Sequence, residues 1–215
     1  MSAMKTLLIL GGSGLVGTQI VELALENPNV QSVVAPTRRP LAPRPKLHNP
    51  IVDYAQLPGN ASWWVADTAL CALGTTLRQA GSAAAFRRVD HDYVLAAAQL
   101  THNAGTPAFV YSSSIRANAT ARSLYLRVKG ETEQDLAAVG FESLCHVRPS
   151  LLDGGPRPDF RPAETAILWL ARRLAPIIPR QYRAVSTHAV AAKMLLVALD
   201  PQPGVRVIES AQIHD

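Results

Sequence analysis

The stretch LLILGGSGLVGTQIVELAL, residues 7–25, decides the fold. Leu7–Leu10 is an apolar run of the length of one buried strand. Glycines then crowd together, and from Leu15 onward apolar side chains recur at helical spacing. Gly12, Gly14 and Gly17 give G-x-G-x-x-G, while Gly11, Gly14 and Gly17 give G-x-x-G-x-x-G. Either pattern alone is weak. Between a strand and an amphipathic helix, inside a strand–helix–strand unit, it reads as a dinucleotide-binding turn. Glycine permits the tight turn and lets backbone approach a pyrophosphate. The helix N-terminus adds free N–H groups and the positive end of its dipole. Gly11, Gly12, Ser13, Gly14, Leu15, Val16 and Gly17 are therefore the first candidate cofactor-binding residues.

Outward from this turn, strand-like runs are expected at Thr6–Leu10, Ser32–Ala35, Ile51–Asp53, Ala69–Leu73, Ala108–Ser112 and Leu144–Val147. Helical patterns fall at Leu15–Leu25, Ala84–Asn103 and Ser123–Val139, with Gly105 and Gly140 placed to stop the last two. This alternation predicts an α/β fold, a doubly wound parallel sheet covered on both faces. Prolines 36, 40, 43, 45 and 50 make residues 35–50 an irregular loop. After Arg148 the pattern loosens. Two further helical patterns, Glu164–Leu174 and Thr187–Leu199, precede a short strand-like Val205–Glu209. One domain over residues 1–215 is expected, with residues from about 150 onward forming a small C-terminal substrate lobe.

Composition narrows the function classes. The chain has 215 residues and is 48% hydrophobic and 17% charged, which suits one compact core rather than a disordered chain. Cys71 and Cys145 sit in apolar runs without metal or redox spacing, so buried free thiols and a cytoplasmic location are expected. Residues 1–12 mimic a short signal peptide, but the glycine turn follows at once and a first strand fits better. Residues 166–179 are apolar but broken by Arg172, Arg173 and Pro176, so no membrane span is expected. The net charge is +5, yet no nucleic-acid recognition motif accompanies it. A phosphorylated cofactor would account for part of the charge. The histidines are scattered. His91 and His102 find no third ligand, so no metal site is expected. Trp63 and Trp64 read as packing residues. Trp169, Arg157 and Arg161 are candidates for a pocket or for core and loop.

A dinucleotide-binding unit for NAD carries an acid about 20 residues past the glycines, where it holds the ribose 2′-hydroxyl. This chain has no acidic residue between Glu26 and Asp53. Thr37, Arg38 and Arg39 stand where the acid belongs, and an arginine there suits the 2′-phosphate of NADP(H). A basic surface loop would have the same composition.

The stretch FVYSSSIRANATARSLYLRVKGETEQDL, residues 109–136, carries the reactive groups. Three serines, Ser112, Ser113 and Ser114, end a strand on the edge where an open parallel sheet receives ligands. Tyr125 and Lys129 are four apart and share a helix face. A phenol titrates at about 10. An ammonium roughly 4 Å away contributes up to about 4 kcal/mol at an effective dielectric near 20. That would bring the phenol toward working pH, as a general acid or base requires. A solvated Tyr/Lys stripe is the plainer alternative.

The serine-ended strand and Tyr-x-x-x-Lys after such a glycine turn resemble the short-chain dehydrogenase/reductase superfamily and its Rossmann fold. CALGTT (71–76), AGSAAAFRRVDHDYV (80–94), FVYSSS, LYLRVKGETE (124–133) and VRPSLL (147–152) are similar to its atypical branch, which includes the Tat-interacting-protein-type oxidoreductases and their bacterial relatives. The resemblance implies that Tyr125 exchanges a proton with a carbonyl or alcohol. Lys129 would hold the nicotinamide ribose and lower the phenol's pKa. Ser113, with Ser114 as its rival, would orient the substrate oxygen. Leu73, Gly74 and Thr75 would line the adenosine and ribose side, Asp53 would face the adenine amine, and Arg148, Pro149 and Ser150 would approach the nicotinamide. The implied activity is NADPH-dependent hydride transfer to a small carbonyl or from an alcohol. Two rivals accompany it. One is an NADPH-binding regulator with a protein partner. The other, weakened by the short lobe, is a sugar-nucleotide epimerase or dehydratase. A monomer or homodimer is expected.

Overall fold

The first strand, β1 (Lys5–Leu10), is apolar on both faces because both are covered. Leu7 and Ile9 join one core with Val16, Ile20 and Ala24 of α1 (Leu15–Glu26). Leu8 and Leu10 join the other with Trp64, Phe109 and Leu136. This two-sided burial follows from the period-two alternation of a strand. The computed structural model describes residues 4–153 and 179–213.

The strands that follow are β2 (Val30–Val34), β3 (Leu47–His48), β4 (Thr68–Cys71), β5 (Ala108–Ser112), β6 (Ser143–Arg148) and, near the end, β9 (Gly204–Glu209). They form a seven-stranded sheet in the order β3-β2-β1-β4-β5-β6-β9. Every neighbouring pair is parallel. The fold is thus the expected α/β Rossmann sheet. A separate two-stranded sheet joins β7 (Leu152–Asp153) to β8 (Val185–Ser186). One face carries α1 and α6 (Thr187–Leu199), whose Val190, Ala191 and Met194 complete the first core. The other carries α4 (Tyr93–Asn103) and α5 (Leu124–Val139).

Two expectations need correction. The third strand lies at Leu47–His48, not Ile51–Asp53; Ile51 makes only an isolated bridge to Thr37 and is exposed. Pro50 has no N–H to continue the ladder. The Asn49 side chain takes over instead, accepting from Leu41 N at 2.7 Å and donating to Ala35 O. The long helix 84–103 starts at Ala83 and is interrupted. After α2 (Leu77–Ala80), α3 (Ala83–Arg87) passes through a wide π turn at Arg88–Asp92 before α4 begins. Gly105 and Gly140, at φ +90 and +96, end α4 and α5 in the left-handed region as expected.

Cys71 and Cys145 are free and buried, and burial pushes the Cys71 thiol up to about 12. Trp64 is buried and donates its indole N–H to Pro58 O at 2.7 Å. No helix among the described residues is long and apolar enough to cross a membrane, and no group of three His, Cys, Asp or Glu among them could hold a metal. Glu164–Leu174, Trp169, Arg157 and Arg161 lie outside the described residues.

Candidate functional site

Because the main sheet is parallel, the C-terminal ends of β1, β4, β5 and β6 meet along one edge. The segments leaving these ends are Gly11–Gly17, Leu73–Thr75, Ser113–Ser114 and Pro149–Ser150. They carry most of the residues expected at the site.

The glycine turn is built by close backbone approach. Gly11 has φ +83, and a Cβ there would stand 2.8 Å from the Ala72 carbonyl carbon, so the turn rests on the end of β4. A Cβ at Gly17 would lie 2.0 Å from Gly11 O, so α1 can start there only without a side chain. Gly14 caps α1 without a side-chain hydrogen bond, and the first turn contains no acid. Ser13, Gly14 and Leu15 are exposed, while Gly12, Val16 and Gly17 are buried. The first-turn N–H groups have no intrahelical partners, which is the electrostatic character of an anion cradle.

Beyond β2, Thr37 is buried. Its hydroxyl donates to Arg39 O at 2.6 Å and accepts from Asn49 at 2.8 Å, so Thr37 shapes the turn. Arg38 and Arg39 are exposed and form no ion pair among the described residues. Asp53 is exposed and accepts from Ala55 N at 2.9 Å, which fixes its own turn.

The serines after β5 divide. Ser113 is 4% exposed, and its hydroxyl has no hydrogen-bond partner among the described residues. Ser114 Oγ donates to Ile115 O at 3.4 Å. Backbone bonds from Ser113 N to Val147 O (2.8 Å) and from Ile115 N to Pro149 O (2.8 Å) tie this loop to the end of β6. A buried hydroxyl without a partner costs free energy that a bound oxygen would recover.

Lys129 is buried. Its ammonium donates to Tyr111 Oη at 3.1 Å and to Ser112 O at 3.3 Å, and lies 3.0 Å from Asp90 Oδ1. An ammonium has three N–H donors, so one remains for Asp90 and an incoming hydroxyl to share. Burial works to lower the Lys129 pKa, but Tyr111 and Asp90 outweigh it and hold the group well above its ordinary value. Tyr111 is itself raised by burial. Tyr125 is half-buried and packs its ring on Phe86, centroids 5.8 Å apart. Its hydroxyl has no hydrogen-bond partner among the described residues.

Arg148 turns its guanidinium to Glu133 in a two-point pair (2.9 and 2.6 Å) and to Glu209 (3.0 Å). The hydrogen bonds to Glu133 hold it more firmly charged than usual. Ser150 N donates to Ser210 Oγ at 3.2 Å, and Ser150 Oγ donates to Arg183 O.

Sequence reasoning missed three participants. Asp90 and Tyr111 complete the surroundings of Lys129; an acid within the apolar pattern of a helix was the available signal. Gly130 was the third. A Cβ there would stand 2.2 Å from the Asn118 carbonyl carbon, so α5 lies directly on the loop that leads to Tyr125. A glycine inside a helix is the usual mark of such contact. His146 is buried, its Nδ1 has no hydrogen-bond partner among the described residues, and burial lowers its pKa.

These donors are chemically compatible with a dinucleotide: the uncapped start of α1 offers N–H groups to an anion, Arg38 and Arg39 offer exposed positive charge beyond β2, and Lys129 keeps one N–H to share.

No protein-family model matches the chain. Protein HTATIP2 of Rattus norvegicus is 34% identical over 208 residues, spanning 93% of this chain and 84% of that protein. The Aspergillus fumigatus protein named fmp52, mitochondrial, is 33% identical over 182 residues, spanning 78% of this chain and 75% of its own. Among solved structures, MoeE5 in complex with UDP-glucose and NAD aligns with TM-score 0.72 at 20% identity, covering 94% of this chain and 75% of that one. WbmH of Bordetella bronchiseptica in complex with NAD+ aligns with TM-score 0.70 at 18% identity, covering 96% and 76%. These two share the fold. The relatives, matched over most of their own length, go further: the chain belongs to the family of HTATIP2 and Fmp52 proteins.

Proposed function

We propose that this protein is an NADPH-dependent oxidoreductase of the short-chain dehydrogenase type, acting on a small carbonyl or alcohol. The observation that carries this reading is the Ser113 hydroxyl, buried just after β5 without a hydrogen-bond partner among the described residues, where Lys129 of α5 donates to the carbonyl of the neighbouring Ser112. A buried hydroxyl without a partner among the described residues is available to a substrate oxygen. The kinship with HTATIP2 supports the family background, and the NAD bound in the complexes of MoeE5 and WbmH supports a nicotinamide dinucleotide.

The cofactor's part would be the hydride. The rest falls to the chain. The N–H groups at the start of α1 would receive the pyrophosphate. Arg38 and Arg39 would meet the 2′-phosphate, a charge-assisted contact of about 1.5–3 kcal/mol. Ser113 would donate to the substrate oxygen. Tyr125 would deliver the proton to that oxygen as the carbonyl carbon receives the hydride, leaving an alcohol. Lys129 would place a positive charge beside the phenol.

The test is label transfer. NADPH deuterated at C4 is incubated with the protein and a panel of aldehydes and ketones. The proposal expects deuterium on the carbinol carbon of at least one product and one NADP+ per alcohol. NADPH binding without transfer to any carbonyl would instead identify a cofactor-binding regulator. Turnover of a sugar nucleotide without net cofactor oxidation would identify an epimerase.

A further inference from the structure

We propose that Asp90 is the positioning residue of this site: its carboxylate holds the Lys129 ammonium in place and charged, against the turn at Gly74–Thr75. The inference rests on the reading of Tyr125 and Lys129 as the reacting pair.

The two oxygens of Asp90 have different tasks. Oδ2 accepts the Thr75 N–H at 2.7 Å. Oδ1 stands 3.0 Å from Lys129 Nζ, where both side chains are at most 5% exposed. No well-aligned donor reaches Oδ1 among the described residues, so the contact is Coulombic and open to an added hydroxyl. Glycine at 74 makes the arrangement possible. A Cβ there would lie 3.1 Å from Asp90 Oδ1 and 3.6 Å from Lys129 Nζ, on top of the pair.

The π turn at Arg88–Asp92 positions Asp90 itself. Its main-chain carbonyl accepts from Thr132 Oγ1 at 3.1 Å and from Tyr111 Oη at 3.4 Å. One residue is thus held from β5, α5 and the turn after β4. Isolated π turns of this kind recur at functional sites.

The buried charge on Lys129 requires the same pairing. A lysine this buried loses its proton unless an anion compensates. Among the described residues, the titratable groups facing Lys129 are Asp90 on the π turn, Tyr111 on β5, Tyr125 on α5 and Cys71 on β4. Asp90 is the only carboxylate among them. Lys129 is held above its ordinary pKa, so the stability it contributes is complete at neutral pH and is lost only as pH rises through that raised value. Removing the Asp90 charge should bring the loss to lower pH.

The experiment uses the full chain carrying Asp90→Asn, which keeps an oxygen for Thr75 N–H and deletes the charge. Melting temperature is followed from neutral to strongly alkaline pH, a readout that needs no turnover. The alkaline fall in Asp90→Asn is expected at least about one pH unit below wild type. Carbonyl reduction should slow about tenfold or more. If the reaction reading is wrong, wild type shows no turnover, and the melting curves still decide the role of Asp90. A melting curve identical to wild type across the alkaline range overturns the proposal. So does unchanged turnover in Asp90→Asn of an active wild type. Should Asp90→Asn not fold, the double variant Asp90→Asn/Lys129→Met removes both charges. It is expected to fold and to lose the Lys129 part of the alkaline fall, and a fall as large as wild type's overturns the idea.

Discussion

Two features at the same sheet edge are built in opposite ways. The glycine turn comes from seven consecutive residues, Gly11–Gly17, and is open: its N-cap is bare and Ser13, Gly14 and Leu15 are exposed. The Lys129 cluster comes from four separated segments, at Gly74–Thr75, Asp90, Tyr111–Ser112 and Lys129, and is closed. An open cradle is tuned by what it lacks, namely side chains and competing acids. A closed cluster depends on each partner staying paired. Substitutions should therefore act on binding in the first and on folding in the second.

The largest expected effect is in the closed cluster. Lys129→Met leaves Asp90 buried without its cation, and the chain should lose about 3–5 kcal/mol in urea unfolding at neutral pH. A loss below about 1 kcal/mol would mean that the pair behaves like a solvated surface ion pair. Next comes Gly17→Ala, whose methyl would meet Gly11 O at 2.0 Å. Backbone must move, so stability should fall by about 3 kcal/mol and NADPH affinity, read by fluorescence titration, by about a hundredfold. Gly14→Ala meets Gly11 O only at 3.3 Å and should cost far less. If the two alanines behave alike, the close approach at Gly17 is not what shapes the turn.

Arg148→Ala sharpens the same contrast at the end of β6. It leaves Glu133, 7% exposed, without its two-point partner, and should cost about 2 kcal/mol by urea unfolding. The smallest effect on folding belongs to Arg38→Ala with Arg39→Ala. Both side chains are exposed, so stability should stay within about 0.5 kcal/mol. The ratio of NADPH to NADH affinity should nonetheless fall about ten- to a hundredfold. An unchanged ratio would make these arginines an ordinary basic loop.

What was legible in the sequence follows the same division. The strand–turn–helix around Gly11–Gly17, the strand at Ala108–Ser112 and the helix stops at Gly105 and Gly140 are local, and local patterning marked them. The third strand was misplaced because Pro50 and Asn49, not the apolar Ile51 and Val52, decide where the ladder ends. The break in the long helix was not legible in its hydrophobic period, because the residues that the π turn buries, Asp90 and His91, are polar and do not enter that pattern. Asp90 and Tyr111 were invisible as partners of Lys129, since they lie 39 and 18 residues away in the chain and only the sheet and the π turn bring them together.

In the proposed reaction Tyr125 delivers the proton while NADPH sits in the glycine turn. This step is tested most directly by single-turnover oxidation of bound NADPH by wild type and Tyr125→Phe on the same carbonyl. The predicted result is a roughly hundredfold to ten-thousandfold slower oxidation in Tyr125→Phe with NADPH affinity unchanged. Equal rates in the two proteins would contradict it.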